Sequence, residues 1–215
     1  MTPVRSLLFA LVFLTTGVVC AADGIGALTR FYEEVDSLSA RFEQVQLAED
    51  GAELRRSNGI FLLSRPGRFR WEYQDPDRQI IVSDGETFMF YDVGLDQVTV
   101  RPVADTLQAT PAQLLTGGTG LQDAFVVHSD GEHDGLSWLR LIPRSEQSDF
   151  EEVRLGLRDG LPVTMELDDR LGQMTRIEFS DIEVDPVLDA ARFAIDIPDD
   201  ATVVDQRESM GGQDW

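Results

Sequence analysis

Few side-chain groupings in these 215 residues have the spacing of a catalytic or metal site. Asp130-Gly131-Glu132-His133-Asp134-Gly135 resembles the start of a calcium loop, but Leu141 stands where the closing bidentate glutamate belongs. Gly117-Gly118-Thr119-Gly120 lacks the lysine that a phosphate-cradling loop requires. Glu151 and Glu152 are adjacent, and adjacent strand residues point to opposite faces, so they form no acid–base pair. His128 and His133 sit beside Asp-Gly turns and read as solvated loop positions. There is no serine-nucleophile motif, and the lone cysteine, Cys20, falls in an N-terminal leader. Neither catalysis, nor a cofactor, nor a metal is expected. What remains is the chemistry of holding apolar matter.

That chemistry centres on Ser64-Arg65-Pro66-Gly67-Arg68-Phe69-Arg70-Trp71-Glu72-Tyr73. After the Pro-Gly turn, Phe69, Trp71 and Tyr73 share one side and Arg70 and Glu72 the other. This period of two marks a strand with a buried face. Three consecutive inward rings are more than a simple two-layer contact needs, and they could line a wide apolar space. Phe31, Phe90, Leu114 and Leu115, with Trp138 and Phe179, are further candidates for that lining, and plain core packing is the alternative for each.

The elements that must position these rings are mostly strands. Ile25, Leu28, Phe31, Tyr32 and Val35 recur at helical spacing and predict an amphipathic helix whose stripe covers something. Leu38, Ala40 and Phe42 alternate, and the phase shifts near Gln44-Val45-Gln46-Leu47, which predicts a bulge. Strands follow at Ile60–Leu63, Gln79–Val82, Thr87–Tyr91 and Gln97–Val103, with Asp84-Gly85 as a hairpin dipeptide. Thr110-Pro111 reads as an N-cap followed by a first-turn proline, opening a short helix from Pro111 to about Leu115 that stops at Gly117-Gly118. The second half offers strands at Asp123–His128, Ser137–Ile142, Glu152–Leu157, Leu161–Leu167 and Gln173–Ile182, then a helical turn from Asp185-Pro186 through Ala191. Phe193, Ile195 and Ile197 predict a last alternating strand. Roughly ten or eleven strands at short spacing, with few helices, argue one strongly curved antiparallel sheet rather than βαβ units. Such a sheet with large inward residues must be closed, filled or lidded, and the two helices are the evident lids.

Composition narrows the class. Asp and Glu total 39 against 18 basic residues, a formal net charge of −21, and every basic residue is Arg. That surface repels nucleic acid and anionic headgroups. Residues 1–22 read as a cleavable secretory signal: Arg5, an apolar run from Leu7 to Leu14, and small residues around Cys20-Ala21-Ala22. A mature chain without cysteine folds outside the cytoplasm on its core alone. One domain, residues 23–207, is expected, with a loose tail over 208–215.

The run Arg65-Pro66 to Tyr73, then Ile81-Val82-Ser83-Asp84-Gly85, Phe88-Met89-Phe90-Tyr91, Thr110-Pro111, Asp189-Ala190-Ala191-Arg192-Phe193 and Val204-Asp205-Gln206-Arg207, resembles the outer-membrane lipoprotein carrier proteins (LolA). The resemblance spans most of the mature chain. It implies an incomplete antiparallel barrel, lidded by helices over an apolar cavity. It also implies a monomeric periplasmic shuttle that takes acylated lipoproteins from an inner-membrane ABC transporter to an outer-membrane receptor. Arg65 matches a family arginine that latches the lid; without the resemblance it reads as a solvated strand-end residue. Phe69 and Trp71 match aromatic positions at the cavity and its mouth. A sensor of the same fold, or an outer-membrane acceptor lipidated at Cys20, are the other readings. The absence of lysine departs from the family pattern.

Overall fold

The computed structural model describes residues 24–103, 111–116, 121–146 and 148–207. The expected leader, the Thr110 cap, the Gly117-Gly118 stop and the 208–215 tail lie outside them. The first helix, α1, is Gly24–Glu34, and it leads into strands β1 (Ser37–Leu47), β2 (Glu53–Ser64), β3 (Arg68–Asp75), β4 (Gln79–Asp84), β5 (Thr87–Asp92) and β6 (Gln97–Pro102). Two short helices follow, α2 (Pro111–Thr116) and α3 (Leu121–Ala124). The second run is β7 (Phe125–His133), β8 (Leu136–Pro143), β9 (Phe150–Arg158), β10 (Leu161–Asp169) and β11 (Met174–Val184), then a 3-10 turn at Ala190–Phe193 and β12 (Thr202–Asp205).

All twelve strands form one sheet in the order β12-β6-β5-β4-β3-β2-β1-β11-β10-β9-β8-β7. Two meanders, β1–β6 and β7–β11, are fused where β1 pairs antiparallel with β11, from Leu38 opposite Val184 to Leu47 opposite Met174. The fusion puts β6 and β7 far apart in the sheet, although they are consecutive in the chain. Of their connection, the described parts are α2, which packs on β2 and β3, and α3, which packs on β7. Among the described residues the sheet does not close on itself, since β7 and β12 end the order.

Local sequence explains the hairpins. Asp134-Gly135 (φ 55° and 72°) and Asp159-Gly160 (φ 52° and 82°) have positive φ at both turn positions, the geometry that matches strand twist in two-residue loops. At Gly59 the register between β2 and β3 shifts. A Cβ there would lie 1.9 Å from the Glu72 carbonyl oxygen and 2.8 Å from the Phe42 ring, so only glycine permits the approach.

Two apolar clusters result. The larger fills the concave face: Ala27, Leu28, Phe31 and Val35 from the α1 end meet Phe42, Phe61, Leu63, Phe69 and Trp71, and beyond them Leu139, Leu155, Met165 and Ile177. The smaller lies on the convex face of β2–β6, where Leu62, Ile80, Val82, Tyr91, Val98 and Val100 pack with Phe193. Burial on both faces explains the unbroken apolar run Ile60 to Leu63. Farther round, the convex face is ionic: Glu166 accepts from Arg154 (2.8 Å) and Arg176 (2.9 Å).

Several sequence expectations need correction. The described residues form twelve strands rather than ten or eleven, and the edge strand β12 pairs parallel, not antiparallel, with β6. The expected strand over 193–197 is instead the end of a 3-10 turn and a covering segment, because Arg70, not a neighbouring strand, satisfies the carbonyls of Arg192 (3.3 Å) and Ala194 (3.2 Å). Asp185 does not open a helical turn; its carboxylate accepts from the Asp36 and Ser37 N–H groups and pins the start of β1. β7 begins at Phe125, since Leu121–Ala124 is helical. The bulge expected near Gln44–Leu47 falls at Gln46/Leu47 against β2, with another at Ser39/Arg41 against β11.

Candidate functional site

Arg65 follows β2 directly, and its N–H donates to the Asp36 carbonyl (2.8 Å), which fixes its backbone at the foot of α1. From there the guanidinium spreads to three carbonyls: Nε donates to Val35 (2.8 Å), Nη2 to Leu115 (3.2 Å) and Nη1 to Thr116. Helix C-termini leave carbonyls without intrahelical partners. One side chain thus serves the ends of α1 and α2 together, and a planar fork of five donors suits that task. The Phe31 and Tyr32 rings lie 5.1 and 5.4 Å from the guanidinium carbon, a cation–π contact on each. Tyr32 adds a second tie, donating its hydroxyl to the Leu114 carbonyl (2.6 Å).

Burial lowers the Arg65 pKa, while Tyr32 and Asp36 oppose that shift. Burial likewise pushes the Tyr32 phenol well above its ordinary value, with Arg65 opposing. The pair is therefore a cation beside a neutral donor, both aimed at lid carbonyls.

Beneath this clasp the expected rings come together. Phe69 is 0% and Trp71 2% exposed, and Phe31, Leu114 and Leu115 are buried in the same cluster; Tyr73 and Phe90 are half-buried against it. Trp71 is the hub, with ring centroids 4.7 Å from Phe42, 5.1 Å from Phe61 and 6.0 Å from Phe179. In this lid-down state the rings fill the concave face with one another. Open space lies at the two ends of the strands. One groove of about 610 Å³ runs past Gln44, Tyr73, Pro111, Phe150 and Leu167. Another, of about 500 Å³, lies under α1 between Phe31, Leu136, Leu157 and Leu161.

Trp138 is not among these rings. It stands on the opposite face of β8 from the buried Leu139 and Leu141, stacked on His133 at 5.1 Å and 7°. Sequence reasoning also passed over residues that matter here. Tyr32 was visible only as part of an apolar stripe, though a phenol at a stripe's edge is a donor in search of an acceptor. Gln44 continues the inward alternation Ala40, Phe42 and is buried; a polar residue at an inward position was the signal. It accepts from the Tyr73 hydroxyl (3.0 Å), while burial pushes the Tyr73 pKa up to about 12.

Comparison with known proteins places this arrangement. The family model described as outer membrane lipoprotein carrier protein LolA matches residues 33–196. A protein of Alkalilimnicola ehrlichii named outer-membrane lipoprotein carrier protein is 44% identical over 187 residues, covering 86% of this chain and 84% of its own. Relatives of the same name from Methylococcus capsulatus and Dechloromonas aromatica are 41% and 37% identical, over 80% and 95% of this chain and 82% and 98% of theirs. Among solved structures, an uncharacterized conserved protein from Thermus thermophilus is similar with a TM-score of 0.56 at 14% identity, covering 85% of this chain and 98% of that one. That last likeness concerns the fold alone.

Proposed function

The chain belongs to the outer membrane lipoprotein carrier protein LolA family, and from that premise we propose that it is a periplasmic carrier of acylated lipoproteins. It binds their acyl chains against the concave face, takes them from an inner-membrane lipoprotein-releasing ABC transporter and hands them to an outer-membrane receptor. The leader over residues 1–22 directs it to that compartment. The observation that carries the reading is the Arg65 clasp, which joins α1 and α2 over a bed of aromatic rings.

The physical demand is large. Each methylene moved out of water contributes about 0.8 kcal/mol, so an anchor of ~40 methylenes costs roughly 30 kcal/mol to expose. A carrier must offset most of that cost and still release its cargo. A lid-down state in which the rings bury one another does both, because unloading returns the apolar face to its own packing instead of to water. Arg65 latches that state, and Phe69, Trp71, Tyr73, Phe90, Leu114, Leu115 and Phe31 exchange contacts with each other for contacts with acyl chains.

Expression of the full chain in a bacterial periplasm, followed by purification and mass spectrometry, tests the reading. Acylated lipoproteins should co-purify, in greater amount with Arg65→Leu. Their absence from both forms would overturn it.

A further inference from the structure

The carrier reading leaves one polar group inside the apolar cluster without a role. The Trp71 indole Nε1 is buried and has no hydrogen-bond partner among the described residues. An indole N–H can only donate, and a buried donor left unpaired is both costly and rare. Phenylalanine would offer the rings of Phe42, Phe61 and Phe179 an aromatic neighbour without that cost. The Tyr73 oxygen lies near the Trp71 indole, where a hydrogen bond from Nε1 would oppose the burial that raises the Tyr73 pKa, but in this packing the contact falls short of hydrogen-bond geometry. The Tyr73 hydroxyl hydrogen is committed to Gln44. Gln44 and Tyr73 both line the groove of about 610 Å³ at the end of the strands away from Arg65. A polar strip thus leads from open space into the aromatic bed and ends on an unused donor.

We propose that this strip reads the ester carbonyls of the cargo's anchor. With the lid raised and the rings parted, Trp71 Nε1 donates to an acyl ester oxygen. The hydrocarbon continues along Phe69, Leu114 and Leu115 toward Arg65, and the glycerol–cysteine end lies in the groove by Gln44 and Tyr73. A carbonyl is the matching partner because it accepts and brings no donor of its own. A saturated chain of equal length would bury the same area and leave the indole orphaned. The inference rests on the carrier reading and deepens it, from a greasy bed to a site selective for esterified lipid.

Two synthetic probes test it: a cysteine peptide carrying two palmitoyl esters on glycerol, and its dialkyl ether counterpart of the same chain length. The wild-type protein should bind the ester about tenfold more tightly, the effect of one buried hydrogen bond. Trp71→Phe should erase the difference, weakening the ester about tenfold more than the ether. In nitrogen-15 spectra the Trp71 indole proton should move downfield with the ester and not with the ether. Equal wild-type affinity for both probes would overturn this inference and leave the carrier standing, whereas failure to bind either would overturn both. Retention of the ester preference by Trp71→Phe would also overturn it. Should that variant fail to fold, the ester–ether difference and the indole signal of the wild-type chain still decide.

Discussion

Strand β3 is sheltered on both faces, and the two shelters are fastened differently. On the concave side α2 lies over β3, and Arg65 and Tyr32 tie it through backbone carbonyls to the end of α1, which packs across β7–β10. On the convex side the segment after β11 lies over β2–β6, anchored by Phe193 in the apolar cluster and by Arg70 on two carbonyls. Both use an arginine fork, but Arg70 is itself held by Glu72 (2.8 and 2.7 Å), which also accepts from Arg78 (2.9 Å). Arg65 bonds neutral carbonyls, whose exchange for water costs only about 1 kcal/mol each. The convex cover is thus tied through a charged network, and the concave one through neutral carbonyls alone.

The sharpest way to break the contrast is at Phe193, which is 2% exposed. Phe193→Ala should cost about 3–5 kcal/mol, the range for a large ring removed from a core, read as a lowered urea midpoint. Lipid binding by the protein that remains folded should be unchanged. A loss below about 1 kcal/mol would show the convex segment to be as loose as the lid.

Glu72→Gln comes next, at about 2 kcal/mol, because it leaves Arg70 and Arg78 without their carboxylate. Its pH dependence has a definite sign. Burial raises the Glu72 pKa, but hydrogen bonds and charge from Arg70 and Arg78 outweigh it and hold the pKa below its ordinary 4.5. The stabilisation is therefore fully present above pH 4.5 and disappears as pH falls through the lower folded value. Thermal melts should show wild type and Glu72→Gln far apart at neutral pH and converging in acid. A constant gap would refute the assignment.

An effect no larger, about 2 kcal/mol, belongs to Arg65→Leu: three bonds of about 1 kcal/mol each are lost and the apolar contacts of leucine offset part of them. Its functional effect should be the greater one: faster amide exchange in α1 and α2, and cargo retained instead of passed to the receptor. Unchanged exchange and normal transfer would remove Arg65 from the latch.

The concave face was legible because its signals are local. Phe69, Trp71 and Tyr73 alternate directly after a Pro-Gly turn, and the α1 stripe carries its own period. The convex cover was not. Phe193, Ile195 and Ile197 alternate like a strand, but whether such a segment joins a ladder or lies across a sheet depends on whether a distant edge is free. β12 already occupies the β6 edge, and Arg70, far away in sequence, supplies the donors. The polar start of β2, Glu53 to Asn58, showed no strand pattern because most of its side chains face water on both sides. Whether the rings line the hollow or fill it was left open by the sequence, since period two says which way a ring points and not what it meets there.

Arg65 and Tyr32 grip α2 through the carbonyls of Leu114, Leu115 and Thr116 and not through any side chain. Every residue type supplies a carbonyl, so the hold is indifferent to which side chains α2 carries. The buried face of the helix can thus be re-lettered with other apolar residues while the same two donors keep it in place.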